Sequence, residues 1–303
     1  MADAGGLRRA RRGVLSAVRV LVVGDVALDV LVAPAAVPVA GADVPARIRT
    51  RPGGAGANTA AWLAHLGRDA GIAVTLAARI GADPAGRAAA DELAAAGVTA
   101  HLAVDPEAAT CTVVSLVGAG DRTLLSDRGA AALLVPDDLP DVAGFDHLHL
   151  SGYVLLDASS RAAGRAALAA ARAAGISTSV DPQVAPALAA PGRAAAFLDD
   201  VRGVDLLLPN TDELRALGGT AAVLRHVGAV AISAGADGAS WADPTGRCHA
   251  VAPPATVVDP TGAGDAFDAG VLVARLSGAS PAEALAAGCS AGAAAVGRLG
   301  ARP

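Results

Sequence analysis

Short runs of Val, Leu and Ile that stop at a glycine or an aspartate recur along the 303-residue chain. Between them lie stretches whose apolar positions return every three or four residues. The run "VRVLVVGDV" over 18–26 has the length and β-branched content of a strand buried on both faces. After it, "ALDVLVAPAAVPVAGADVPARIRTRPGG" is broken by Pro and Gly, which predicts edge strands or a flap rather than a helix. A helical period follows over 58–66 and stops at Gly67. "GIAVTLAARIG" repeats the strand plan, and 84–96 reads as a helix with Asp83 as its N-cap.

Residues 97–127 break the rhythm. "VTAHLAV", "ATCTVVSLV" and "RTLLSD" are short runs separated by polar turns, the pattern of a small antiparallel element. From 145 the alternation resumes: strand "HLHLSG", helix 158–174, strand "ISTSVD", helix 191–200, strand "DLLLPN" and helix 211–217. Strand "AVAISAG", a hairpin around "GASWADPTGRCHAV" and helices over 263–277 and 281–298 complete it. Strands alternating with helices predict a doubly wound, mostly parallel sheet in one α/β domain spanning the chain. The extra runs near 28–52 and 99–127 are then a small inserted β layer. No repeat and no interdomain linker is visible.

Composition narrows the chemistry. Hydrophobic residues are 53% of the chain but aromatics only 2%, so the core must be built from Ala, Val and Leu. All 24 basic residues are arginine. A phosphate-binding Walker A loop, a protein-kinase fold and a Schiff-base enzyme each require a lysine at a fixed place, so these classes are disfavoured. The accompanying excess of Ala, Arg and Gly also fits GC-rich codons, which keeps the exclusion from being absolute. A net charge of -5 leaves no footprint for nucleic acid. Arg8, Arg9, Arg11 and Arg12 form one basic cluster, read as part of a solvated tail over 1–17. Arg19, Asp25 and Asp29 interrupt the following apolar run, which argues against export or membrane spanning. Cys111, Cys248 and Cys289 are widely spaced, as reduced thiols of a cytoplasmic protein would be.

The most informative stretch is "VVDPTGAGDAFDAG" over 257–270. Thr261, Gly262, Ala263 and Gly264 carry little bulk, so their backbone N–H groups can approach an anion at a helix N-terminus, where the macrodipole favours negative charge. Asp265 follows in the first turn, placed to take a proton from a substrate hydroxyl while that anion hole holds a transferring phosphoryl group. A glycine-rich turn with Asp as a helix cap is the plainer reading of the same residues.

"DPTGAGDAF" resembles the C-terminal signature of the ribokinase-like (PfkB) carbohydrate kinases, usually written DTxGAGDxF, with Pro260 in place of Thr. "RPGGAGANTAAWLAHLG" over 51–67 resembles that family's glycine-pair signature, "IGADPAGR" over 80–87 its G-x-D-x-x-G segment, and "LLPNTDEL" over 207–214 its N-x-x-E motif. Four motifs in order span residue 18 to the end. The resemblance implies a ribokinase-like fold with a small β lid. It implies Asp265 as general base, Gly262, Ala263 and Gly264 as anion hole, and Asp29, Gly53, Gly54 and Asn58 as the polyol site. Asn210 and Glu213 would organise Mg²⁺ and phosphates through water, although the residues alone read as a helix cap with Glu at N3. "ISAGADGA" is similar to the nucleotide-binding turn and implicates Ser233, Gly235 and Gly238, with Cys289 as a wall of the adenine site. Asp259 and Thr261 match the place of a monovalent cation such as K⁺ in some members.

The expected function is therefore ATP- and Mg²⁺-dependent phosphorylation of a sugar or sugar-like alcohol by a homodimer paired through the lid. Ala55 stands where ribokinase itself has Lys, which disfavours ribokinase proper. A phosphorylated substrate would need cationic groups, for which Arg122 and Arg128 are placed. A nucleoside acceptor is the alternative, but its base needs an apolar or aromatic clamp, and the few aromatics are Trp62, Phe145, Tyr153, Phe197, Trp241 and Phe267. A dinucleotide-dependent oxidoreductase is disfavoured, since neither "GGAGAN" nor "GAGDAFDAG" sits in a strand, G-x-G-x-x-G, helix context. A non-catalytic sugar or nucleotide sensor would have no need of Asp265.

Overall fold

In a computed structural model, residues 17–118 and 121–303 are described. Arg8, Arg9, Arg11 and Arg12 and the side chain of Arg122 lie outside the described residues. The chain runs β1 (Val18–Val23), β2 (Ala27–Pro34), β3 (Ala46–Gly53), α1 (Ala55–Gly67), β4 (Ile72–Gly81), α2 (Pro84–Ala95), β5 (Val98–Asp105), β6 (Cys111–Gly118) and β7 (Asp121–Asp127). It continues with β8 (His147–Ser151), α3 (Tyr153–Leu156), α4 (Arg161–Ala174), β9 (Ser177–Asp181), α5 (Ala185–Ala189), α6 (Arg193–Asp200), β10 (Leu206–Leu207), α7 (Thr211–Ala216) and α8 (Thr220–Val223). The last elements are β11 (Ala229–Ser233), β12 (Ala239–Asp243), β13 (Gly246–Ala250), α9 (Ala263–Leu276) and α10 (Pro281–Val296).

The large sheet has the order β13-β12-β11-β10-β9-β8-β1-β4-β5, parallel except for the β11-β12-β13 hairpins. The alternation of β1 explains the two layers of helices. Val20 and Val22 face one core with Trp62 and Leu63 of α1, Leu93 of α2, Phe267 and Leu272 of α9 and Leu285 of α10. Leu21 and Val23 face the other, with Leu168 of α4, Leu188 of α5 and Phe197 of α6. Each fully buried Leu side chain contributes about 1.5–3 kcal/mol, so a sheet covered on both faces needs few aromatics to hold it.

The second sheet has the order β3-β2-β6-β7. Its extent corrects the expectation of a β layer over 99–127. Residues 99–105 belong to β5, which pairs in parallel with β4 and closes the edge of the large sheet. Its alternating pattern is that of an edge strand with one solvated face, which looks the same in sequence as a strand of a small separate sheet. The β layer is also not purely antiparallel, because β2 pairs in parallel with β6. Most other elements fall within three residues of expectation, and the short helices α3, α5 and α8 carry too few turns for a periodic signal.

Strand order reverses beside β1: β4 and β5 are added on one side, β8 to β11 on the other. In open α/β sheets the crevice outside the carboxyl ends of strands at such a reversal is where ligands bind. Asp25 lies just beyond β1, and Asp181 ends β9. Asn210 follows β10 and bridges to Ser233 at the end of β11.

Candidate active site

Helix α9 begins with Gly262 in the left-handed region (φ 77°) and no side-chain cap. Glycine is required there twice over, because a Cβ would be strained at that φ and would collide with the backbone of Ala301, 2.6 Å from its Cα. Asp259 shapes the preceding turn: its Oδ1 accepts from Thr261 N at 2.9 Å and its Oδ2 from Gly300 N at 3.1 Å. Among the three residues expected to form an anion hole, Ala263 already donates its N–H to Pro260 O at 3.3 Å. Gly264 has open space where a side chain would stand.

Asp265 is in the first turn of α9 and is buried. Asn58 Nδ2 donates to its Oδ2 at 3.0 Å, and Thr59 Oγ1 to its Oδ1 at 3.5 Å. Both donors lie on α1, which starts at the left-handed Gly54. Burial is the largest influence on the carboxyl, and with the negative charges of Asp181 and Asp25 it pushes the pKa up to about 8 against the pull of the Asn58 and Thr59 hydrogen bonds. Asp29 on β2 lies against Gly53, where a side chain at 53 would run into its carboxylate. The structure thus brings Asp29, Gly53, Gly54, Asn58 and Asp265 together.

Asn210 and Glu213 form a reciprocal capping box at the start of α7. Asn210 Oδ1 accepts from Glu213 N at 2.9 Å, and Glu213 Oε2 accepts from Asn210 N at 2.8 Å. Unlike a surface cap, Glu213 is buried, and burial first, then the charges of Asp212 and Asp265, raise its pKa to about 7. Gly235 lies in the tight turn between β11 and β12 and has open space about it, whereas Gly238 is packed against the backbone at Ala250. Cys289 on α10 is a member of the core beneath α9. That position makes it a packing residue of the helix pair.

Sequence reasoning passed over four acids and bases of this crevice. Asp25 is buried; its Oδ1 accepts from Gly56 N at 3.1 Å, and its Oδ2 meets Arg128 Nη1 at 2.9 Å. Arg128 also meets Asp157 at 3.0 Å and lies 4.2 Å from the centroid of the Tyr153 ring, so it is committed to structure here. Asp181 and Asp268 are buried and both are held well above the usual carboxylate range, Asp181 by burial and the charge of Glu213, Asp268 by burial and the charges of Asp181, Asp265 and Glu213. Asp268 Oδ2 has no hydrogen-bond partner in the described residues. A carboxylate directly after a strand ("LVVGD", "STSVD") was the available signal for Asp25 and Asp181. For Arg302, whose Nε donates to Asn58 Oδ1 at 3.2 Å, the sequence held none.

The model of the family described as "pfkB family carbohydrate kinase" matches residues 18–303. The chain is 31% identical over 244 residues to the aminoimidazole riboside kinase of Salmonella typhimurium, covering 73% of this chain and 72% of that one. It is 31% identical over 269 residues to the fructokinase of Klebsiella pneumoniae, covering 84% and 83%. Among solved structures, a putative ribokinase II from E. coli in complex with ATP and Mg²⁺ superposes with a TM-score of 0.82 at 25% identity, over 94% of each chain.

Proposed function

The chain belongs to the pfkB family of carbohydrate kinases, and from that premise we propose that it transfers the terminal phosphoryl group of ATP to a hydroxyl of a sugar or sugar-like alcohol, with Asp265 as the general base. The observation that carries this reading is the buried Asp265 carboxyl, held by Asn58 and Thr59 at the mouth of an uncapped helix. The acceptor hydroxyl gives its proton to an Asp265 oxygen as its own oxygen attacks the γ-phosphorus, and ADP leaves with the electron pair of the broken bond. Amides of the first turn of α9 face the charge on the transferring group. Asp29, Gly53 and Asn58 orient the acceptor, since a carboxylate, a backbone carbonyl and a carboxamide suit vicinal hydroxyls.

The residues fit Mg²⁺. Glu213 and Asp181 supply hard oxygen donors, and the crowded carboxylates with raised pKa values and the unpartnered Asp268 Oδ2 are groups that a divalent cation would relieve. When bound, Mg²⁺ neutralises charge on the phosphate oxygens. A monovalent cation beside Asp259 and Thr261 would brace the turn that precedes α9.

The aromatic residues favour a polyol over a nucleoside. Trp62, Phe197, Trp241 and Phe267 are core residues, and Phe145 packs beside the second core. Tyr153 is covered by Arg128. None of them stands open to stack on a base.

The test is an ADP-release screen with ATP and Mg²⁺, in K⁺ and in Na⁺, across pentoses, hexoses, sugar phosphates and nucleosides. Sedimentation of the same preparation reads the homodimer. Asp265→Asn should lower kcat by roughly 10²–10⁴-fold. Wild-type turnover in that variant removes Asp265 as the base, a nucleoside as sole acceptor replaces the polyol, and silence towards every acceptor leaves a binding protein.

A further inference from the structure

Arg302 is far in sequence from every motif of the site yet reaches into its floor. Its side chain is 10% exposed. Nε donates to Asn58 Oδ1 at 3.2 Å, and Nη2 donates to Gly53 O at 2.8 Å. The segment that leads to it is pinned at two points: Trp62 Nε1 donates to Ala301 O at 2.9 Å, and Gly300 N donates to Asp259 Oδ2 at 3.1 Å. One guanidinium thus spans the two acceptor-site residues, while the preceding Ala301 packs against Gly262 at the start of α9.

We infer that Arg302 is a positioning residue for phosphoryl transfer, fixing the Asn58 carboxamide so that its N–H₂ end faces Asp265. A carboxamide has a donor end and an acceptor end of almost equal size, and its orientation follows from its partners. With Arg302 on Oδ1, only Nδ2 is left for Asp265 Oδ2. In the flipped amide an oxygen would face a carboxylate and an NH₂ would face a guanidinium, both repulsive. The second consequence is electrostatic. The groups facing Asp265 are Asp25 beyond β1, Asp181 at the end of β9, Glu213 on α7, Asp268 on α9 itself, Thr59 and Asn58 on α1, and Tyr153 on α3. Most are acids that make its ionisation harder. Arg302 opposes them, its own charge facing Glu92, Asp29 and Asp265, whereas Arg128 is engaged by Asp25 and Asp157.

This role rests on Asp265 as the base, but its linkage is measurable without turnover. The carboxyl carbon of Asp265, assigned by its loss in Asp265→Asn, is titrated by carbon-13 NMR in the free wild type, Arg302→Gln, Arg302→Lys, Asn58→Ala and the Arg302→Gln/Asn58→Ala double variant, with a melting curve for each. Arg302→Gln is expected to raise the midpoint on the order of one pH unit and Arg302→Lys by less. In the double variant the midpoint moves by less than the sum of the two single shifts, because part of the effect of Arg302 passes through Asn58 and the rest through its charge. The acid limb of kcat/KM should move with it. An unmoved midpoint in Arg302→Gln, or full additivity in the double variant, overturns the inference. If Arg302→Gln does not fold, a wild-type midpoint in Arg302→Lys beside a shifted one in Asn58→Ala overturns it equally. A moved midpoint in a protein whose Asp265→Asn variant still turns over removes the base instead and leaves the linkage standing.

Discussion

Helices α9 and α10 pack on one another over a shared core, and each carries an acid at its third position, yet they begin in opposite ways. At α10, Ser280 is the N-cap, Pro281 follows it, and Glu283 turns back so that its Oε2 accepts from Ser280 N at 2.7 Å. Everything needed lies within four residues and faces solvent. At α9, Gly262 has no side chain to cap with, and Asp265, one carbon shorter than Glu, turns away from the cap towards α1. The start of α9 is completed by Asn58, Thr59 and Ala301, all distant in sequence. Electrostatics follow the geometry. The Ser280 hydrogen bonds hold Glu283 below the usual carboxylate range, while burial pushes Asp265 up to about 8. A helix start closed locally is a stability device, and one left open and closed only by tertiary neighbours is built to receive something.

After loss of the base itself, the largest effect should come from giving α9 a side chain at its start. Gly262→Ala meets the Ala301 backbone and a left-handed φ, strain worth about 1–3 kcal/mol. Displacement of the turn should cost on the order of 10²-fold in kcat, since roughly 1 Å of misplacement is enough. Turnover and melting temperature of the variant decide it: an Ala tolerated on both counts would mean that the open start is not what the site depends on.

The two acids should then respond to pH with opposite signs. The folded pKa of Asp265 lies above its unfolded value of 3.8. Between about pH 4 and 8 the folded state therefore holds a proton that the unfolded state has lost, and this contribution to stability falls as pH rises. Asp265→Asn should melt above the wild type beyond pH 8, with the gap closing towards pH 4, while wild-type kcat/KM climbs through the same range as the base ionises. Glu283, held below its unfolded value, stabilises above that value and loses the contribution as pH falls. Glu283→Gln should therefore melt lower than the wild type at pH 7 and equal to it in acid. Melting curves from pH 4 to 9 on both variants read the two signs, and parallel behaviour would dissolve the distinction.

The same contrast explains what could be read in the chain. Strands buried on both faces announce themselves as apolar runs, so β1, β4, β8 and β11 were legible, as was the α2 start, where Asp83 Oδ1 accepts from Gly86 N at 2.8 Å. Glycine turns with an acid behind them were legible because the chemistry is local, which is why Asp265 and the 262–264 turn stood out. The sheet that β5 joins was not legible, since its alternation describes one wet face and not the β4 neighbour it pairs with. Arg302, Asp181 and Asp268 could not be assembled from spacing, because what joins them to Asp265 is strand order and the path of the C-terminal segment. Asn210 and Glu213 show the mixture: the capping box was legible, whereas the burial that lifts Glu213 to about 7 depends on the surrounding elements.

The smallest expected effect isolates the stability half of the contrast. Ser280→Ala removes the hydroxyl that accepts from Glu283 N and leaves the Glu283 return bond to the Ser280 backbone in place. Loss of an N-cap side chain costs about 1 kcal/mol, which for a domain of this size lowers the melting temperature by about 2 °C. Because the bonds lost lie at the solvent-facing start of α10, kcat and the acid limb of kcat/KM should stay at wild-type values. A Ser280→Ala variant whose acid limb moved would show that the packing of α10 on α9 transmits to the Asp265 environment, and the local start of one helix would then be part of the tertiary start of the other.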